Sequence, residues 1–158
     1  MAETWWTKRW VQNTGLILVA VLGVYALIYR DVVSRAKESF QQGETYMDWN
    51  AHPEKKAAFF EAKLDAAKSN LDKAWAARKI SEEEHKRKLE SLEFDKKFAL
   101  EESSLKYAYQ WYKDTFELFS PPESKWVRLS RVKAPLALEM WKQELTEKNI
   151  PFEDTMFE

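Results

Sequence analysis

Apolar and polar positions divide this chain into two unequal parts. Trp10 to Tyr29 reads WVQNTGLILVAVLGVYALIY and contains no charged side chain. Twenty helical residues rise ~30 Å, about the thickness of a bilayer's hydrocarbon core. Trp5, Trp6 and Trp10 at one rim, with Tyr25 and Tyr29 near the other, occupy the levels that amphipathic rings prefer in a membrane interface. Lys8 and Arg9 flank one end; Arg30 and Arg35 flank the other. This pattern predicts a transmembrane helix over 10–29, preceded by a short tail at 1–9.

Beyond Tyr29, apolar residues recur at helical spacing among charged ones. Val32, Ala36 and Phe40 continue the helix into a juxtamembrane segment and turn over 30–52, with Gly43 as a possible stop and Asn50-Ala51-His52-Pro53 as a turn. Pro53 suits the first turn of the next helix, and Glu54 its positive end. Phe60, Leu64, Ala67, Leu71 and Ala74 form a thin, alanine-rich stripe that allows close helix approach. Ser81 and Glu84 then read as a capping box within Ile80-Ser81-Glu82-Glu83-Glu84. The helix it opens is expected to run to Phe119, since Phe98, Leu105, Tyr112 and Phe119 are spaced by seven. Two such stripes joined by a capped turn predict an antiparallel hairpin. Ser120-Pro121-Pro122 ends the second helix. Another starts near Glu123 and presents Trp126, Leu129 and Val132. Pro135 either kinks it or starts a last helix carrying Leu138, Trp141 and Leu145, closed by Asn149 and Pro151. The fold class is therefore all-α: a transmembrane helix, then a helical domain over 53–150 and an acidic, aromatic tail at 151–158.

Thr45-Tyr46-Met47-Asp48-Trp49 followed by Pro53-Glu54-Lys55-Lys56 parallels Thr115-Phe116-Glu117-Leu118-Phe119 followed by Pro122-Glu123-Ser124-Lys125, allowing one gap. This grammar resembles tetratricopeptide-like (TPR-like) helical repeats. The resemblance implies paired helices over Ala36–Leu71 and Leu105–Leu145 stacking into a binding scaffold, though the Trp-Leu-Gly-Tyr pattern of a typical unit is missing. A second resemblance covers Leu71–Leu92, LDKAWAARKISEEEHKRKLESL, which is similar to a short two-helix module at the ends of many bacterial proteins. That module is associated with self-assembly; here it lies mid-chain, with Lys79 where its turn glycine would stand.

Charge and composition narrow the function. After Tyr29 there are 23 basic and 25 acidic side chains, so the domain has no electrostatic reason to bind nucleic acid. The absence of cysteine excludes disulfides, thiolate zinc sites, iron–sulfur clusters and covalently attached c-type haem. Only His52 and His85 could supply imidazole, and neither lies in the span. His85 with Glu82 three residues earlier, or His52 beside Asp48, could ligate a metal; a charged first turn and a polar turn explain them without one. No nucleophile–base pair, phosphate loop or paired-carboxylate motif is present. No enzyme, cofactor, metal or small-molecule substrate is expected.

The aromatic residues carry the remaining signal. Tyr107, Trp111, Tyr112, Phe116, Trp126 and Trp141, with Phe152 and Phe157 in the tail, are candidates for a partner-binding surface, because Trp and Tyr are enriched at interface hot spots. The alternative is a small core of large residues, and for the tail a frayed end. These readings predict a non-catalytic, single-pass accessory or scaffold subunit of a larger membrane complex, a bioenergetic complex being one such host, contacting other subunits and the bilayer. The small residues Gly15, Ala20, Gly23 and Ala26 offer packing positions in the span. The membrane would be a bacterial inner membrane or its equivalent. Arg30, Arg35 and Lys37 after the span balance Lys8 and Arg9 before it, so charge leaves both orientations open, and a short basic tail before a first span favours a cytoplasmic amino terminus. The rivals are a membrane-anchored assembly factor, a self-associating tether resembling the ATP-synthase stalk subunit, and a cleaved signal peptide ending near Ser34-Arg35-Ala36.

Overall fold

The computed structural model describes residues 9–157, apart from the side chain of Asp154. Trp5 and Trp6 lie outside the described residues. Five helices follow one another: α1 (Arg9–Ala51), α2 (Pro53–Ala76), α3 (Glu82–Glu101), α4 (Ser104–Leu118) and α5 (Lys125–Glu147), with a closing 3-10 turn over Asp154–Phe157. Among the described residues there is no strand.

Most helix ends follow local chemistry. Pro53 opens α2. Ser81, Ser103 and Ser124 each accept a bond from the backbone N–H three residues on, capping α3, α4 and α5. The capping box at Ser81 is only half made, because the Glu84 carboxylate turns to Lys88 at 2.8 Å. α2 closes with Arg78 in the left-handed region (φ 56°), and Lys79 N–H donates to the Ala74 carbonyl at 3.0 Å. Asn149, at φ 54°, closes α5 in the same way.

Two boundaries differ from the sequence expectation. Gly43 does not stop α1, which runs unbroken through 43 residues. The glycine serves a different purpose: a Cβ there would lie 2.5 Å from the Tyr112 ring, so only glycine admits that ring. The expected helix from Ser81 to Phe119 is two helices, broken at Glu102. The break is held from outside the local sequence. Lys56, buried on α2, donates its Nζ to the Glu102 carbonyl at 2.6 Å and reaches the Leu100 carbonyl at 3.4 Å, satisfying the end of α3. α5 runs on across Pro135, so of the two expectations for that residue the start of a separate last helix is not met.

The distal part of α1 packs with α4 and α5 as a three-helix bundle around Phe40, Ala108, Tyr112, Ala134 and Ala137. Small residues bring the helices close and Tyr112 fills the centre. Its hydroxyl donates to the Glu44 carboxylate, to which Lys133 also donates, so one polar triad links α1, α4 and α5. A second buried link joins α1 to α4. Ser39 donates to the Trp111 carbonyl at 3.0 Å, and the Thr115 hydroxyl lies 2.8 Å from Ser39 Oγ. α2 and α3 form the expected antiparallel hairpin, carried at the end of α1 away from the apolar stretch. Over Ala36–Leu71 the two helices meet only near their junction, whereas Leu105–Leu145 is a packed pair.

Candidate interaction surfaces

The aromatic residues singled out from sequence divide between the interior and its margins. Tyr112 has no exposed surface, which corrects its assignment to a partner surface: desolvation first, and its bond to Glu44 second, also push its hydroxyl pKa upward. Phe116 packs partly buried against the same core. Trp126 is half-buried against Phe40, ring centres 5.5 Å apart, with the Lys125 ammonium 4.2 Å from the centre of its ring. Trp111 is half-buried and lines a shallow cleft with Arg35, Ser39 and Leu118.

Phe157 is buried as well, so the tail docks on its own chain. Its ring meets Trp141 edge-on at 5.0 Å and Phe152 at 5.6 Å. Its carbonyl accepts from the Tyr109 hydroxyl at 2.7 Å. Trp141, Phe152 and Phe157 therefore fill one another's surroundings along α4 and α5.

Tyr107 belongs to the corner between α3 and α4. It stacks on Tyr46 at 5.1 Å and donates to the Glu102 carboxylate. Buried Trp49 continues the cluster to Phe59 and Phe60 and fastens the hairpin to the bundle. Ser103 at this corner donates to Glu144 of α5. The bond to Glu102, followed by desolvation and the carboxylate's charge, pushes the Tyr107 pKa up to about 12. The fold thus favours the neutral phenol. Its contribution to stability is full below the ordinary value of 10.0 and is lost as the pH rises through about 12. Chemical unfolding followed over that window should show wild type losing stability more steeply than Tyr107→Phe. Parallel curves would mean that the phenol–carboxylate bond contributes nothing.

The surfaces left open lie elsewhere. On the hairpin, Phe94 and Phe98 are 67% and 54% exposed, and stack only loosely at 6.4 Å. On α5, Leu129, Val132, Leu136 and Met140 form an exposed apolar stripe at spacings of three, four and four. A helix-period signal was available for both, since Phe94 and Phe98 are i, i+4. It could not tell the buried face from the open one. Between α2 and α3 lies a cleft of about 180 Å³ lined by Phe60, Leu64, Ala67, Leu92 and Ala99. Lys68–Glu93 at 2.8 Å and the close Lys96–Glu61 pair bridge the same hairpin.

The histidines are engaged structurally. His85 Nε2 lies 2.8 Å from Asp72 Oδ1, and its ring lies against Trp75 at 5.0 Å. His52 Nδ1 is 3.2 Å from Glu54. Among the described residues, no three His, Cys, Asp or Glu side chains converge as a metal set would.

The apolar stretch is the largest open surface. Every residue from Gln12 to Tyr29 is exposed, including Leu16 at 72%. Trp10, Tyr25 and Tyr29, the rim residues within the described chain, are exposed. One helix of the described chain is long and apolar enough to cross a membrane, and it is this one. No family model, curated protein or solved structure matches the chain.

Proposed function

We propose that this protein is a non-catalytic, single-pass accessory or scaffold subunit of a membrane complex. The observation that carries the reading is the exposure of the apolar stretch: none of its most apolar window is buried against the rest of the described chain. Such a surface is strongly unfavourable in water and needs lipid or neighbouring spans to cover it. α1 passes from that stretch into the bundle without a break, so partner contacts made above the membrane are held at a set distance from it. A TPR-like use of the packed α4–α5 pair as a scaffold is compatible with this role. The exposed rings of the hairpin and the apolar stripe of α5 are the surfaces offered to other subunits.

Mild detergent extraction through a tag on a flexible carboxyl-terminal linker, followed by native mass spectrometry, tests the proposal. An assembly of fixed stoichiometry is the expected result. A monomer or homodimer would turn the reading toward a transient assembly factor or a self-associating tether. Phe94→Ser combined with Phe98→Ser should release the partners while helicity and unfolding remain within about 0.5 kcal/mol of wild type, because both rings are exposed. Retention of every partner by this variant would exclude the hairpin face as the contact.

A further inference from the structure

The end of the bundle nearest the apolar stretch has a composition that the subunit role does not account for. Its height follows from α1. Because that helix is unbroken, each residue adds ~1.5 Å along its axis. α4 runs antiparallel to it, since Ser39 meets Trp111 and Thr115 while Tyr46 meets Tyr107. Leu118 and Phe119 reach the cleft shared with Arg35 and Glu38, which puts them near the level of Ala36. That level is roughly 10 Å beyond Tyr29, and the Ser120–Pro122 turn follows at the same end. The headgroup layer extends roughly 5–8 Å beyond the hydrocarbon, and a typical helix tilt of about 20° would lower one side of the bundle further.

What this end presents suits that layer. Leu118 is 69% exposed and Pro121 is exposed beside it. Residues 30–38 and 113–131 contain seven basic and five acidic side chains, whereas the whole chain has a net charge of −1. The acids are largely occupied: Asp31 pairs with Arg35 at 2.9 Å, Glu123 with Arg131 at 3.0 Å and Glu117 with Lys113 at 3.9 Å. Asp114 accepts from Gln110 and Glu38 from Ser34. Arg30, Lys37, Lys125 and Arg128 have no carboxylate within ion-pair distance among the described residues. Exposed apolar groups beside cations without a carboxylate partner, Lys125 over the Trp126 ring among them, match the two components of an anionic lipid surface.

We infer that the base of the bundle is a second membrane contact, with Leu118 and the Ser120–Pro122 turn seated in the headgroup layer and Lys125 and Arg128 against anionic lipid headgroups. The inference rests on the reading of 10–29 as a span. It makes the bundle lean on the bilayer that its own first helix enters.

The chain has no cysteine, so one introduced thiol reports one place. Spin labels at Val19→Cys, Leu118→Cys and Phe98→Cys in the full chain, reconstituted into vesicles of phosphatidylcholine and phosphatidylglycerol, would be compared for access to oxygen and to an aqueous nickel chelate. Position 19 should favour oxygen strongly and position 98 should favour the chelate. Position 118 is expected to favour oxygen over the chelate by about twofold or more relative to position 98, and Lys125→Glu with Arg128→Glu should return it toward water. Position 19 in lipid with position 118 as aqueous as position 98 overturns the inference and leaves the span intact. Position 118 shielded from both reagents means that protein covers it, which also overturns the inference. No response to the double charge reversal overturns the role given to the cations. Position 19 in water overturns the span and the inference together.

Discussion

Tyr112→Ala is expected to cost about 3–5 kcal/mol of stability, enough to unfold much of a marginal three-helix bundle. The ring is fully buried and touches all the structural decisions around it. It rests on Gly43, where a side chain would collide with it, and lies 5.7 Å from the Phe40 ring. Small neighbours at Ala108, Ala134 and Ala137 cannot move in far enough to fill the resulting space. Tyr112→Phe separates the hydroxyl from the ring. Glu44 would lose one donor but keep Lys133, so a smaller loss of about 1–2 kcal/mol is expected. Denaturant unfolding of the full chain in mild micelles, followed by far-ultraviolet circular dichroism, measures both. A loss below about 1 kcal/mol for the alanine variant would mean that the bundle is not organised around this ring.

Val19→Arg together with Leu22→Arg should abolish membrane retention without unfolding the bundle. Each arginine near the middle of a span costs about 2.5–3.5 kcal/mol on insertion scales, so the pair costs about 5–7 kcal/mol, or some ten-thousandfold in partitioning. Both sites are exposed, on a helix segment that contributes no residue to the described core. The variant should therefore move from the membrane fraction to the soluble fraction in a flotation assay, yet keep the unfolding midpoint of the parent bundle. Continued flotation with membranes would show that a surface other than 10–29 provides the attachment. Loss of both retention and folding would show that the stretch contributes to the bundle.

These two residue sets differ in how far they can be read from sequence. The apolar stretch needed nothing beyond itself, because twenty uncharged positions specify a continuous hydrophobic cylinder. The serine cap at Ser81, Pro53 and Asn149 were legible for the same reason: each acts on backbone groups within three or four positions of itself. The capped turn between α2 and α3 followed from two of these signals and a shared stripe. The break at Glu102 was hidden, because the seven-residue spacing from Phe98 to Phe119 runs straight across it. The consecutive Ser103 and Ser104 were the available local hint, yet the break depends on a lysine more than forty positions away.

Periodicity also carried the aromatic rings only part of the way. It placed Leu105, Tyr112 and Phe98 in one stripe, although the first two are buried in the bundle and Phe98 is open on the hairpin. The bend at Glu102 sends the same stripe toward different surroundings. Likewise, Gly43 reads as a helix stop until Tyr112 is placed against it, and Phe157 reads as a loose end until Trp141 and Tyr109 receive it.

By itself, the sequence determined the apolar helix, the all-helical class and most helix ends, because those depend on free energies exchanged between neighbours along the chain. Tertiary structure alone decided which rings form the core, where the long stripe breaks and which surfaces stay open for partners. Burial is a property of several segments at once, and its cost or gain is undefined until distant residues such as Lys56 and Glu102, or Gly43 and Tyr112, have met.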